Sequence, residues 1–174
     1  MTPGDTLAPC TLEVSHATLA DQLPLRRMLE LYQHDLSDIW PQDLDVHGEY
    51  GYGLDRYWHA PQHQPFVFRC DGHYAGFCLV DDDVCLRGNQ LWMAQFFVLK
   101  KYRRRRVGER AARQVFDTLR GAWEVGQMPG NHRATAFWRR VIGHYTNGHY
   151  VEHELHDQRW NGFLQCFDNR LPPP

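Results

Sequence analysis

The chain has no Cys-x-x-Cys pair, no excess of either charge and no apolar run near the roughly 20 residues a membrane span requires. Each absence excludes a class of function. Its five cysteines (Cys10, Cys70, Cys78, Cys85, Cys166) are odd in number and scattered. They are expected to be reduced thiols buried as small hydrophobes, in a cytoplasmic protein without a secretory leader. A net charge of −2 argues against a dedicated nucleic-acid binder, which carries a basic excess. His149, His153 and His156 have the spacing of a helical metal face. The residues around them favour strand, however, so no metal is expected. No Ser-His-Asp or Cys-His arrangement is readable.

What remains is an ordinary globular composition, 43% hydrophobic and 23% charged over 174 residues. It is read as one domain spanning 1–174, without linker or repeat. The basic charge is concentrated in one place, Lys100-Lys101-Tyr102-Arg103-Arg104-Arg105-Arg106. Before it, Gln90–Val98 reads as a strand. After it, Ala111, Ala112, Val115, Phe116 and Leu119 have helical spacing, and Gly121 reads as the stop. A strand, a cationic loop and a helix start together hold anions well. Free amide N–H groups and the positive end of the helix dipole converge there.

Other elements follow from periodicity. Leu12–Ser15 is a strand, and Leu25, Met28, Leu29 and Tyr32 place a helix over about Asp21 to Gln33. The stretch from Asp35 to Gln64 is irregular, with a short helix near Leu54–His59. Phe66–Cys70 and Tyr74–Val80 form a hairpin through Asp71-Gly72. Trp123–Met128 is a strand, Pro129-Gly130 breaks it, and Asn131 caps an amphipathic helix. Two strands, about Tyr150–Leu155 and Trp160–Phe167, precede the Pro172–Pro174 tail. Antiparallel strands followed by βαβ units give a mixed α/β class.

Two motifs carry a resemblance. Arg103-Arg104-Arg105-Arg106-Val107-Gly108 aligns with a Gln/Arg-x-x-Gly-x-Gly/Ala loop, and Asn131-His132-Arg133-Ala134-Thr135-Ala136-Phe137-Trp138 with Asn-x-x-Ala-x-x-Phe-Tyr, about 28 residues later. Together they resemble the GCN5-related N-acetyltransferase (GNAT) family. The wider string, with Leu54–Trp58 and Trp138–Ile142, resembles a bacterial acetyltransferase branch. The resemblance implies a partly antiparallel central sheet of about six to seven strands flanked by helices. It also implies acetyl-CoA as cosubstrate, a small cationic or peptide amine as acceptor, and leaves a homodimer open. No membrane partner and no nucleic-acid partner are expected.

By the same resemblance, Phe96, Phe97, Val98, Arg103 to Arg106, Val107, Gly108, Glu109, Asn131, Ala134, Phe137 and Trp138 would bind the cofactor. The amides from Arg104 to Glu109 would hold its diphosphate, the Val98 N–H would polarise the acetyl carbonyl, and Asn131 would contact the pantetheine arm. Three positions depart from the family. Arg106 stands where it has a loop glycine, Trp138 where many relatives have a tyrosine, and Gln95 where many have an acid. Glu49, Tyr50 and Glu124 are further candidates for moving a proton, as is a water chain. The acidic, aromatic stretch (Asp35, Asp38, Trp40, Asp43, Asp45, Glu49, Tyr50, Tyr52, Tyr57, Trp58) is either an acceptor wall or a solvated loop with core aromatics. The alternatives to catalysis are a CoA-binding regulatory or structural module and a nucleic-acid contact through Arg103–Arg106.

Overall fold

A computed structural model describes residues 10–170; the proline tail at 172–174 lies outside the described residues. The elements run β1 (Leu12–His16), α1 (Gln22–Leu36), α2 (Arg56–His59), β2 (Gln64–Cys70), β3 (His73–Asp81), β4 (Leu91–Val98), α3 (Val107–Thr118), β5 (Ala122–Gln127), α4 (His132–Tyr145), β6 (Val151–His156) and β7 (Asn161–Asp168). The strands form a seven-stranded sheet in the order β1-β2-β3-β4-β5-β7-β6. Every pairing is antiparallel except β4 with β5. This is the mixed α/β, partly antiparallel architecture the element order implies.

Strand alternation divides the core between the two faces of the sheet. Phe66, Phe68, Cys78, Val80 and Met93 turn toward α3 and α4, where Val115, Phe116, Trp138 and Ile142 complete one cluster. Val67, Phe77, Leu79 and Phe97 turn the other way, against Leu25, Met28 and Leu29 of α1 and Tyr57 of α2. Full burial of one such side chain contributes about 1.5–3 kcal/mol, so both faces hold their helices firmly. The Asn131 side chain accepts from the Ala134 N–H at 3.2 Å and caps α4.

Two expectations need correction. Helix α3 ends at Thr118, and Leu119 already has extended backbone (φ −111°, ψ 111°). Gly121 is therefore no helix stop. A Cβ there would lie 2.9 Å from Leu91 Cδ1, so the glycine lets β5 start tight against β4. The cysteines are not all thiols. Cys10 and Cys70 are joined as a disulfide, with Cα atoms 5.5 Å apart. The β1–β2 register sets Leu12 opposite Cys70 and so carries Cys10 to the end of β2, a proximity that a separation of 60 residues conceals.

Strands β3 and β4 meet backbone to backbone at Gly76, where a Cβ would sit 2.1 Å from the Phe97 carbonyl oxygen. The Gly76→Ala substitution is expected to destabilise the fold by about 3 kcal/mol or more, measured by chemical denaturation; a loss under about 1 kcal/mol would mean that β3 and β4 separate easily.

Candidate active site

Strands β4 and β5 pair only at Leu91↔Trp123 and Trp92↔Glu124. Beyond Trp92 they part, and two features explain why. The β3–β4 register shifts between Leu79 and Val80, leaving Ala94 as an extra residue that bends β4. On β5, Gly126 has no side chain, and the Trp92 indole fills the space. A Cβ on Gly126 would come within 2.4 Å of Trp92 Cη2 and 2.8 Å of Trp160 Cζ2. The two indoles meet edge to face at 5.1 Å. They wedge the strands apart where the pairing stops.

The stretch of β4 beyond the wedge therefore borders an open cleft. Val98 lies opposite Gly76, and the next residue, Leu99, donates its N–H to the Ala75 carbonyl at 2.9 Å. Antiparallel alternation then turns the main-chain groups of Phe96 and Val98 away from β3, toward the opening. The Val98 carbonyl accepts from Arg103 Nε at 2.7 Å. The cleft, of about 2370 Å³, is lined by α1, β4, the arginine loop and α4. That exceeds the roughly 300–1,000 Å³ of a single-ligand pocket, so two reactants fit.

The arginine loop turns sharply into α3. Arg104 and Arg106 have φ of 63° and 57°. Left-handed residues favour turns whose amides face one side, and Arg106 is the residue before the first turn of α3. The need for glycine at this loop position is thus conformational, and Arg106 meets it with strain of about 1–2 kcal/mol. Gly108 follows inside the helix. A Cβ there would touch the Phe137 ring at 3.3 Å and Val98 Cγ2 at 3.5 Å, so its bareness keeps α3, α4 and β4 close.

The arginine side chains are not a uniform phosphate clamp. Arg103 ties β4 to α1 by pairing with Asp35, which also meets Lys100 at 3.2 Å. Burial would raise the Asp35 pKa, but the hydrogen bonds from Arg103 and Lys100 outweigh it and hold the carboxyl below its usual range. Arg106 reaches Glu109 at 3.4 Å. Burial acts against ionised Glu109 too, and Arg106, His144 and Arg140 more than offset it. Arg104 and Arg106 line the cleft, whereas Arg105 does not.

Phe96, Phe97, Val98, Val107, Gly108, Glu109, Asn131, Ala134, Phe137 and Trp138 are brought together along the cleft. The capping bond occupies the Asn131 side-chain oxygen. Gln95 is there as well, its Nε2 donating to the Tyr52 hydroxyl at 3.2 Å. Three candidates lie elsewhere. Glu49 pairs with Arg26 of α1, and Tyr50 meets His34 Nδ1 at 3.2 Å. Buried Glu124 accepts from the Cys85 and Leu86 amides and Asn89 Nδ2 at 2.6–2.7 Å, which fastens the turn before β4 to β5. Of the acidic, aromatic stretch, Asp35, Asp38, Trp40 and Tyr52 line the cleft, while Tyr57 is core. Arg56, Asp81, Asp83, Trp92 and Trp160 also line it, with no signal in the sequence beyond residue type.

The cysteines offer no nucleophile. Burial, then the Glu124 charge, pushes Cys85 up to about 12 and Cys166 to about 11, and burial raises Cys78 well above its ordinary value. Among the described residues no cluster of three or more His, Cys, Asp or Glu is arranged to hold a metal, and no helix is long and apolar enough to cross a membrane.

With this geometry in place, comparison with known proteins is decisive at the level of family. A profile of the acetyltransferase (GNAT) family matches residues 25–144. The chain belongs to that family. Among curated proteins no relative matches this GNAT chain in sequence. Solved structures share its fold. One is an acetyltransferase from Thermus thermophilus, with TM-score 0.65, 15% identity and coverage of 92% of this chain and 99% of the other. Another is RimJ of Mycobacterium smegmatis in complex with CoA-disulfide, with TM-score 0.60, 15% identity and coverage of 90% and 81%. A third, a putative streptothricin acetyltransferase from Bacillus anthracis, is in complex with acetyl coenzyme A, with TM-score 0.55, 12% identity and coverage of 93% and 99%.

Replacing Arg106 by glycine relieves the left-handed strain at this GNAT loop. The Arg106→Gly variant is expected to gain up to about 1 kcal/mol of stability and to bind acetyl-CoA as well as or better than the parent, measured by denaturation and calorimetry. An affinity loss of about tenfold, or ~1.4 kcal/mol, would mean that the side chain itself grips phosphate.

Proposed function

We propose that this GNAT chain transfers the acetyl group of acetyl-CoA to a primary amine, by direct attack while both are bound. The observation that carries the reading is the parting of β4 from β5 immediately beside the start of α3. The opening gives a thioester a passage through the sheet, and the left-handed turn at Arg104–Arg106 gives a diphosphate its amides. Structures of the same fold in complex with acetyl coenzyme A and with CoA-disulfide support this assignment.

The residue roles follow from chemistry. The amides of Arg104 to Glu109 hold the diphosphate, with Arg104 adding positive charge at the rim. The Val98 N–H, turned to the opening, donates to the acetyl oxygen as negative charge develops on it. Phe96, Phe137 and Trp138 form an apolar wall, with Phe96 and Trp138 edge to face at 5.0 Å. Phe97 packs on α1 and steadies β4. Asn131 fixes the start of α4 beside the pantetheine path. Holding amine and thioester together supplies most of the acceleration. Attack is direct because the free cysteines, Cys78, Cys85 and Cys166, stand away from the cleft, which disfavours an acyl-enzyme on sulfur.

The acceptor enters from the α1 face. Asp38 with Trp40, Tyr52 and Trp160 makes that end acidic and aromatic, suited to a cationic amine, small or on a peptide. Arg103 and Arg106 direct their charge to Asp35 and Glu109, which counts against a nucleic-acid patch.

At about 100 times its dissociation constant, acetyl-CoA is expected to add about 2.7 kcal/mol of stability and to raise Tm by roughly 5–10 °C. The Gly108→Asp variant, with a carboxylate beside the phosphates, is expected to fold and to lose that shift. A variant that keeps it would place the phosphates elsewhere.

A further inference from the structure

A proton must move when an amine displaces a thiolate, and most ionisable groups along the cleft are already committed. Asp35 is held by Lys100 and Arg103. Asp81, 1% exposed, accepts from the Tyr57 hydroxyl at 2.5 Å and from Arg56. Glu109 sits on the phosphate side with Arg106. Gln95 has an amide, which carries no transferable proton.

Tyr52 is placed differently. It lies between α1 and α2, half-buried, and lines the cleft on the face that α1 covers. Its hydroxyl oxygen accepts from Gln95 Nε2 at 3.2 Å. Gln95 follows the Ala94 bulge on the part of β4 that has left β5, so the phenol is anchored at the opening itself. An oxygen that accepts this bond keeps its own O–H free to donate. On the same face Tyr32 packs on Phe77 and Phe97, and the buried Asp81 carboxylate accepts from the Tyr57 hydroxyl. Burial first, and then the neighbouring Tyr52 oxygen, raises the pKa of both Tyr32 and Tyr57, in keeping with three hydroxyls gathered in one apolar region.

We propose that Tyr52 is the catalytic proton carrier of the acetyl transfer, acting at the opening where Gln95 holds its hydroxyl. This rests on the acetyltransferase reading above. The amine attacks as the neutral base, its ammonium proton having first gone to solvent; its nitrogen bonds to the acetyl carbon, and the carbon–sulfur bond then breaks with its electron pair on sulfur. Sulfur takes the Tyr52 hydroxyl proton, while the Tyr52 oxygen takes the proton that nitrogen loses. One proton passes from nitrogen to sulfur, and the phenol ends as it began.

The test uses the full chain, with acetyl-CoA and a panel of alkyl amines, polyamines and lysine peptides, following thiol release. Tyr52→Phe is expected to lower kcat by about 100-fold while KM and Kd for acetyl-CoA stay within about twofold. Fluorotyrosine at position 52, a more acidic phenol that preserves shape, is expected to move the alkaline limb of the kcat profile to lower pH; a structural role would leave that limb in place, and this arm decides the matter if Tyr52→Phe folds poorly. Wild-type protein that acetylates no amine would overturn the acetyltransferase reading and this proposal with it. An active wild type whose Tyr52→Phe variant keeps kcat within about threefold, or in which only Tyr32→Phe loses it, would overturn this proposal alone.

Discussion

The separation of β4 from β5 is the constraint on which the rest depends. A parallel pair whose strands stayed zipped would bury the Val98 amide in a ladder and leave no route between the two faces of the sheet. Three local features prevent this. An extra residue at Ala94 bends β4, a bare Gly126 on β5 leaves space, and the Trp92 indole fills that space against Trp160. Meanwhile β5 satisfies its other edge along its full length through β7. Packing the indole and opening the cleft are one event.

The arginine loop shows how a single charged run can be divided among tasks. Its backbone sets two left-handed residues directly before a helix start, a combination that suits an anion. Its side chains mainly brace that turn. Arg103 joins the end of β4 to Asp35 of α1, so the arginine loop and the first helix share one fastening. Arg106 meets Glu109 within α3. The net positive charge offered to a ligand is therefore smaller than four consecutive arginines suggest.

Local signals in the sequence translate well into structure. Asn131 caps its helix, Asp71-Gly72 turns its hairpin with φ of 52° and 78°, and apolar spacing places α1, α3 and α4. These features depend on residues a few positions apart. What depends on long-range approach stayed hidden. Gly121 has the look of a helix stop, yet its bareness serves contact with Leu91. Cys10 and Cys70 meet through strand register. Glu49 and Glu124 are acids of suitable type, but both are claimed by partners that no spacing reveals. Trp92 and Gly126, which set the opening, are an ordinary tryptophan and glycine until the two strands are laid side by side. Tyr52 was legible only as one aromatic among many; its bond to Gln95 gives it a place.

The most direct measurement is a crystal structure with acetyl-CoA. The account predicts diphosphate oxygens within about 3.2 Å of main-chain nitrogens between residues 104 and 109, with the thioester between β4 and β5 and its oxygen on the Val98 N–H. Acetyl-CoA bound on another face, or β4 paired with β5 along its whole length, would contradict it.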